Sequence, residues 1–130
     1  MTILRHPTPL PMPFSKAVQA GGFLFLSGVL PTDAAGQPVR GDIAVQTRAV
    51  LERIAATLGE CGASMNDVVK ATVFIADLAD FPAFNTEYRR FFGPEARTGL
   101  PARSTVQVAL FGGAGIEIEV QALLPAVELP

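Results

Sequence analysis

The stretch Pro101–Phe111, PARSTVQVALF, followed closely by Ile116–Pro125, IEIEVQALLP, decides how this chain is read. Both runs alternate apolar with polar residues, the two-residue period of a β-strand. One parity carries Val106, Val108 and Leu110, then Ile116, Ile118, Val120 and Ala122. The other carries Arg103, Thr105 and Gln107, then Glu117, Glu119 and Gln121. The second parity is too polar for an ordinary core, yet it fixes one guanidinium and two carboxylates on rigid elements. A fixed Arg beside a fixed Glu suits a small carboxylate ligand and the activation of a water.

Working outward from these strands, the upstream chain supplies what must pack on them. Residues 1–13 are Pro-rich and read as an extended lead-in. Lys16–Ala20 and Phe23–Ser27 flank Gly21-Gly22, which is hairpin grammar. Residues 31–41, with Pro31, Asp33, Gly36, Pro38 and Gly41, read as a loop. Asp42 is placed to cap a long helix whose apolar stripe is Ile43, Thr47, Val50, Leu51, Ile54 and Leu58, with Gly62 to close it. Val68–Ala76 is rich in β-branched residues and predicts a third strand. Asp80 is placed to cap a second helix with Pro82 in its first turn and Phe81, Phe84, Tyr88 and Phe91 or Phe92 as its stripe. Gly93-Pro94 ends it, and residues 94–102 read as a loop.

The predicted order is β-β-α-β-α-β-β, an α+β domain with a mixed β-sheet and two helices packed on one face. The other face has no intrachain cover. Arg103 and Glu117 are expected to point there together, and oligomerisation is the simplest way to cover them.

At 130 residues the chain reads as one domain, 1–130. Its charged fraction of 17% is low enough to suggest a surface buried between copies. A net charge of −2, with Arg89-Arg90 as the one tight basic pair, argues against nucleic acid as a partner. Lone Cys61 excludes an internal disulfide framework and reads as a small apolar residue. His6 is the single histidine, so no zinc site is expected. No secretory signal is visible, and the most apolar run, GGFLFLSGVLP, is short of the ~20 residues of a membrane helix. The cytoplasm is the expected location, with no membrane partner.

PFSKAVQAGGFLFLSGVLP, GDIAVQTRAVLERI, VVKATVFIADLADFPAFNTEYRRFF, PARSTVQVA and IEIEVQA, in this order from about Pro13 to Ala122, resemble the RidA/YjgF/L-PSP family of reactive-intermediate deaminases. The resemblance implies a chorismate-mutase-like fold and a homotrimer with clefts between subunits. It implies hydrolysis of 2-imino or enamine acids to 2-keto acids and ammonia, with no cofactor and no metal. Older family names include endoribonuclease and translation inhibitor. By resemblance, Arg103 of PARS binds the substrate carboxylate and Glu117, the first Glu of IEIE, is the catalytic acidic residue. Ser27 and Gly28 of the SG pair, Asn85 in the second helix, Phe14 and Thr105 complete the expected substrate-binding set. Phe14 stands where Tyr is common and Thr105 where Cys is frequent. The GGAG connection at 112–115 lacks a frequent Leu-Pro.

Each assignment has a purely structural alternative. Arg103 could form a salt bridge to Glu117 or Glu119, and Glu119 shares the strand parity of Glu117. Ser27 could close a turn, Asn85 could tie helix to sheet, and Phe14 could be core. Thr105 could simply be a good strand former, and Tyr88 reads as core. A non-catalytic small-molecule binder or chaperone-like trimer on the same scaffold is the rival reading; a ribonuclease is disfavoured by charge.

Overall fold

The computed structural model describes residues 2–93 and 99–125. Its strands are β1 Leu4–Pro7, β2 Ser15–Ala20, β3 Phe23–Leu26, β4 Val68–Ile75, β5 Ala102–Gln107 and β6 Ile116–Leu123. Its α-helices are α1 Ile43–Glu60 and α2 Phe81–Phe92. The strands form one mixed sheet in the order β1-β2-β3-β6-β4-β5, with only β4 and β5 parallel. Helix α2 is the crossover that a parallel pair requires.

Local chemistry sets the elements. Gly21 and Gly22 both take positive φ (59° and 82°), the conformation that a two-residue hairpin turn between β2 and β3 needs. Asp42 accepts a hydrogen bond from the Val45 amide at 3.0 Å and caps α1. The predicted α1 stripe is buried throughout. After Cys61, Gly62 turns left-handed (φ 83°) and the Ala63 amide returns to the Leu58 carbonyl, closing the helix. In α2, Phe84, Tyr88 and Phe92 are buried and their rings pack in series, tilted 46° and 48° to one another with centroids 5.5 and 4.8 Å apart. Helix stripes and the Ala71/Val73/Ile75 and Ile116/Ile118/Val120 parities of the two central strands make one core.

Three local expectations are corrected. The lead-in contains strand β1, whose residues Leu4, Arg5 and His6 pair with Gln19, Val18 and Ala17 of β2; Pro7 then enters after a bulge. Proline at the end of an edge strand costs no ladder bond, so its presence did not preclude pairing. The strand after Pro101 stops at Gln107 instead of running to Phe111, and Phe111–Gly113 form a 3₁₀ turn with Gly112 at φ 68°. Asp80 occupies the cap position of α2, but its side chain makes no capping bond. Asp77 caps the short 3₁₀ turn Leu78–Asp80 instead, accepting from the Ala79 amide at 2.9 Å. Residues 94–98 of the predicted 94–102 loop lie outside the described residues.

Both helices lie on one sheet face. The register places Phe23, Phe25, Leu123 and Val106 on the other, each 39–49% exposed. Phe23, Phe25 and Leu123 adjoin on β3 and β6, the kind of apolar cluster that marks an interaction surface, and Val106 adds a separate exposed apolar side chain on edge strand β5.

Candidate functional site

The polar parities of β5 and β6 do not share a face. Parallel partners point the same way, and Arg103 and Thr105 pair with buried Ala71 and Val73. Both therefore face the helices. Glu117 and Glu119 pair across β4 with Phe74 and Thr72 and face the open side. The expectation that Arg103 and Glu117 point together within one chain is thus corrected. The physical reason is that β5 is an edge strand under α2, where aromatic rings accommodate a cation; its apolar Val106 turns outward instead.

On the helix side, Arg103 is half-buried in a cradle made by α2. Its Nη2 donates to Asn85 Oδ1 at 2.8 Å. Its guanidinium carbon lies 5.6, 5.2 and 4.8 Å from the ring centroids of Phe81, Phe84 and Tyr88. Cation–π contacts of this kind stabilise a cation while leaving guanidinium edges free for a ligand. No ion pair joins Arg103 to Glu117 or Glu119 among the described residues, so a structural salt bridge does not account for the arginine. Asn85 spends its carbonyl oxygen on Arg103 and thereby orients it. Tyr88, buried at the same place, has no partner for its hydroxyl among the described residues. Burial pushes that hydroxyl up to about 12, with the Arg103 charge acting in the opposite sense, so it stays protonated. Thr105 is half-buried beside the arginine.

On the open side, Glu117 sits where β6 meets the end of β3. Val29 and Ile118 exchange backbone hydrogen bonds at 2.8 and 3.2 Å, which holds Ser27–Val29 alongside β6. The Glu117 carboxylate lies directly over Gly28. A β-carbon at residue 28 would stand 2.5 Å from Glu117 Oε2 and 3.0 Å from its carboxyl carbon. Burial pushes the Glu117 carboxyl up, and the like charge of Glu119 adds to this. The Ser27 hydroxyl donates to the Ser15 carbonyl at 2.6 Å, which binds β3 to β2 and leaves the oxygen able to accept. Phe14, next to Ser15, is 45% exposed and is not core.

The seven residues singled out in the sequence therefore form two groups: Asn85, Arg103 and Thr105 under α2, and Phe14, Ser27, Gly28 and Glu117 around the open face of β6. The rings that cradle Arg103 have, in the sequence, only the spacing of a plain core stripe. The signal for its second role is the parallel register, which no local pattern carries. Cys61 is half-buried, and burial pushes its thiol up, away from the reactive thiolate. Among the described residues, no three His, Cys, Asp or Glu side chains gather as a metal site, and no helix is long and apolar enough to cross a membrane.

The family model described as Endoribonuclease L-PSP matches residues 6–124. The 3-aminoacrylate deaminase RutC of Acinetobacter baylyi is 44% identical over 110 residues, 83% of this chain and 84% of that protein. Among solved structures, yeast Mmf1 superimposes with a TM-score of 0.87 at 32% identity, over 95% of this chain and 100% of that one. Escherichia coli TdcF with bound serine gives 0.83 at 36% identity, over 93% and 94%. On sequence and fold together, the chain belongs to the L-PSP family, the Rid and RutC proteins.

Proposed function

We propose that this protein hydrolyses reactive 2-imino or enamine acids to 2-keto acids and ammonia. The observation that carries the proposal is the Gly28–Glu117 fit: a glycine leaves room for a carboxylate whose proton affinity is raised by its surroundings. A general base is most effective when its pKa moves toward the working pH. The deaminase named among the relatives supports the same reaction class.

In this reading Arg103, oriented by Asn85 and the rings, takes the substrate carboxylate through two charge-assisted hydrogen bonds. Glu117 removes a proton from water as the water oxygen bonds to the imine carbon. The C=N π electrons move to nitrogen, which takes that proton to give a carbinolamine. The remaining hydroxyl proton then passes by way of Glu117 to the same nitrogen as the C–N bond breaks, so NH3 leaves and the C–O bond becomes the carbonyl of a 2-keto acid. An imine is already electrophilic, so positioning and a polarised water supply most of what is needed. Thr105 and the Ser27–Gly28 backbone line the pocket, and Phe14 forms its apolar wall.

Because the two groups occupy opposite faces of one sheet, the complete site is assembled between copies. Arg103 of one subunit meets Glu117 of the next, in a homotrimer whose open faces are covered by each other. The exposed Phe23, Phe25, Val106 and Leu123 support this arrangement.

The test generates 2-iminobutanoate with a threonine dehydratase and follows 2-oxobutyrate release. The wild type accelerates release over buffer, and Arg103→Ala abolishes the acceleration. Equal rates with and without protein, or an Arg103→Ala variant as fast as wild type, overturn the reading. The serine bound to TdcF favours one rival, a binder of small carboxylates without turnover. Saturable 2-keto-acid binding with no acceleration would select it.

A further inference from the structure

Asn85, Tyr88, Arg89, Leu100, Pro101 and Arg103 line one hollow of about 280 Å³. It therefore holds two guanidinium-bearing residues, of which the proposed chemistry uses one. Asn85 and Arg89 are one helical turn apart on α2 and share a face. They also border the wider neighbouring hollow of about 770 Å³, so this face of α2 lines both hollows.

The two arginines of the Arg89-Arg90 pair have different surroundings. Arg90 lies 3.4 Å from Glu87 Oε2, and the other oxygen of Glu87 receives Arg48 Nε at 2.9 Å. Glu87 is thereby fully engaged. Arg89 is exposed and makes no ion pair among the described residues. Among the described residues, a structural partner is thus available for Arg90 and not for Arg89.

We propose that Arg89 is a second anion anchor beside Arg103, and that the hollow favours 2-imino acids carrying a second acidic group a few carbons from the imine. The inference rests on the function proposed above and names its substrate class. One carboxylate engages the cradled Arg103; the distal acid engages Arg89 at the mouth. Arg89 is solvent-exposed, and the carbonyl end of α2 offsets part of its attraction, so the expected discrimination is modest, about fivefold.

The test compares an imino dicarboxylate, made in place by D-aspartate oxidase, with an imino monocarboxylate made from D-alanine by D-amino-acid oxidase. Calorimetric binding of 2-oxoglutarate and 2-oxobutyrate is measured alongside, on wild type, Arg89→Ala and Arg89→Lys, with thermal unfolding to show that the variants fold. The expected result is that the dicarboxylate-to-monocarboxylate ratio, in turnover and in affinity, falls about fivefold in Arg89→Ala and recovers in part in Arg89→Lys. A wild-type ratio near one, or a ratio unchanged by Arg89→Ala, overturns the inference and leaves the deaminase reading standing. Arg89-dependent dicarboxylate binding without turnover of either imine does the reverse.

Discussion

Replacing Gly28 with alanine separates catalysis from folding. The added β-carbon would stand 2.5 Å from Glu117 Oε2, 3.0 Å from the carboxyl carbon and 3.3 Å from the γ-carbon. A carbon and an oxygen in ordinary contact stay about 3.3 Å apart or more, so the carboxylate must retreat by about 0.8 Å. Gly28 does not have a positive φ, so the backbone adds no strain of its own. The flexible end of a glutamate can retreat by leaving its rotamer, at about 0.5–1.5 kcal/mol. For a domain of this size that lowers Tm by about 4 °C. A general base displaced by nearly 1 Å, however, costs about 100-fold in rate. Imine turnover and thermal unfolding are measured on Gly28→Ala, and again in a Glu117→Ala background. A rate loss near two orders of magnitude with a small Tm loss is expected, and a smaller Tm loss still once the carboxylate is gone. Wild-type turnover in Gly28→Ala, or an equal Tm loss in both backgrounds, would rule out Glu117 as a general base held over Gly28.

Lysine at residue 103 keeps the charge but loses the planar fork and the stacking on Phe81, Phe84 and Tyr88. Arg103→Lys should lower kcat/KM by about 10- to 100-fold, chiefly through KM, as steady-state kinetics would read. The raised Glu117 carboxyl binds its proton more tightly folded than unfolded. Its contribution to stability is therefore present below the ordinary carboxylate range and is lost as pH rises through the folded value. Glu117→Gln should match wild type in acid and become the more stable of the two toward pH 8 in denaturant titrations. The same variant should lose the rising limb of the pH–rate profile. Buried Glu87 holds Arg48 of α1 at 2.9 Å. Arg48→Ala should lower Tm more than Glu87→Ala, because it leaves a buried carboxylate with only the 3.4 Å contact to Arg90, whereas the two exposed arginines left by Glu87→Ala keep their water.

Helix α1 was legible in full, because Ile43 through Leu58 repeat at helical spacing between a capping Asp and a closing Gly. So was β6, where each Ile is buried and each Glu is not. The facing of β5 was not legible. Its alternation matches that of β6, but a parallel edge strand beneath aromatic residues can turn its polar parity inward, and only the register with β4 reveals this. Strand β1 was hidden by surrounding prolines, since its pairing depends on a partner edge and not on its own pattern. The candidate site residues are legible only through motif resemblance. Their division into two groups came from topology, and the cradle around Arg103 from both together.

In the proposed site, Arg103 and Glu117 act from different copies of the chain. Arg103→Ala and Glu117→Ala, each expected to be inactive alone, are unfolded together in equal amounts, refolded and assayed for imine turnover. A cleft that takes Arg103 from one subunit and Glu117 from the next finds both intact in half times half of random pairings. Recovery to about a quarter of wild-type activity is expected in the mixture. Turnover no higher than that of either variant alone would contradict it.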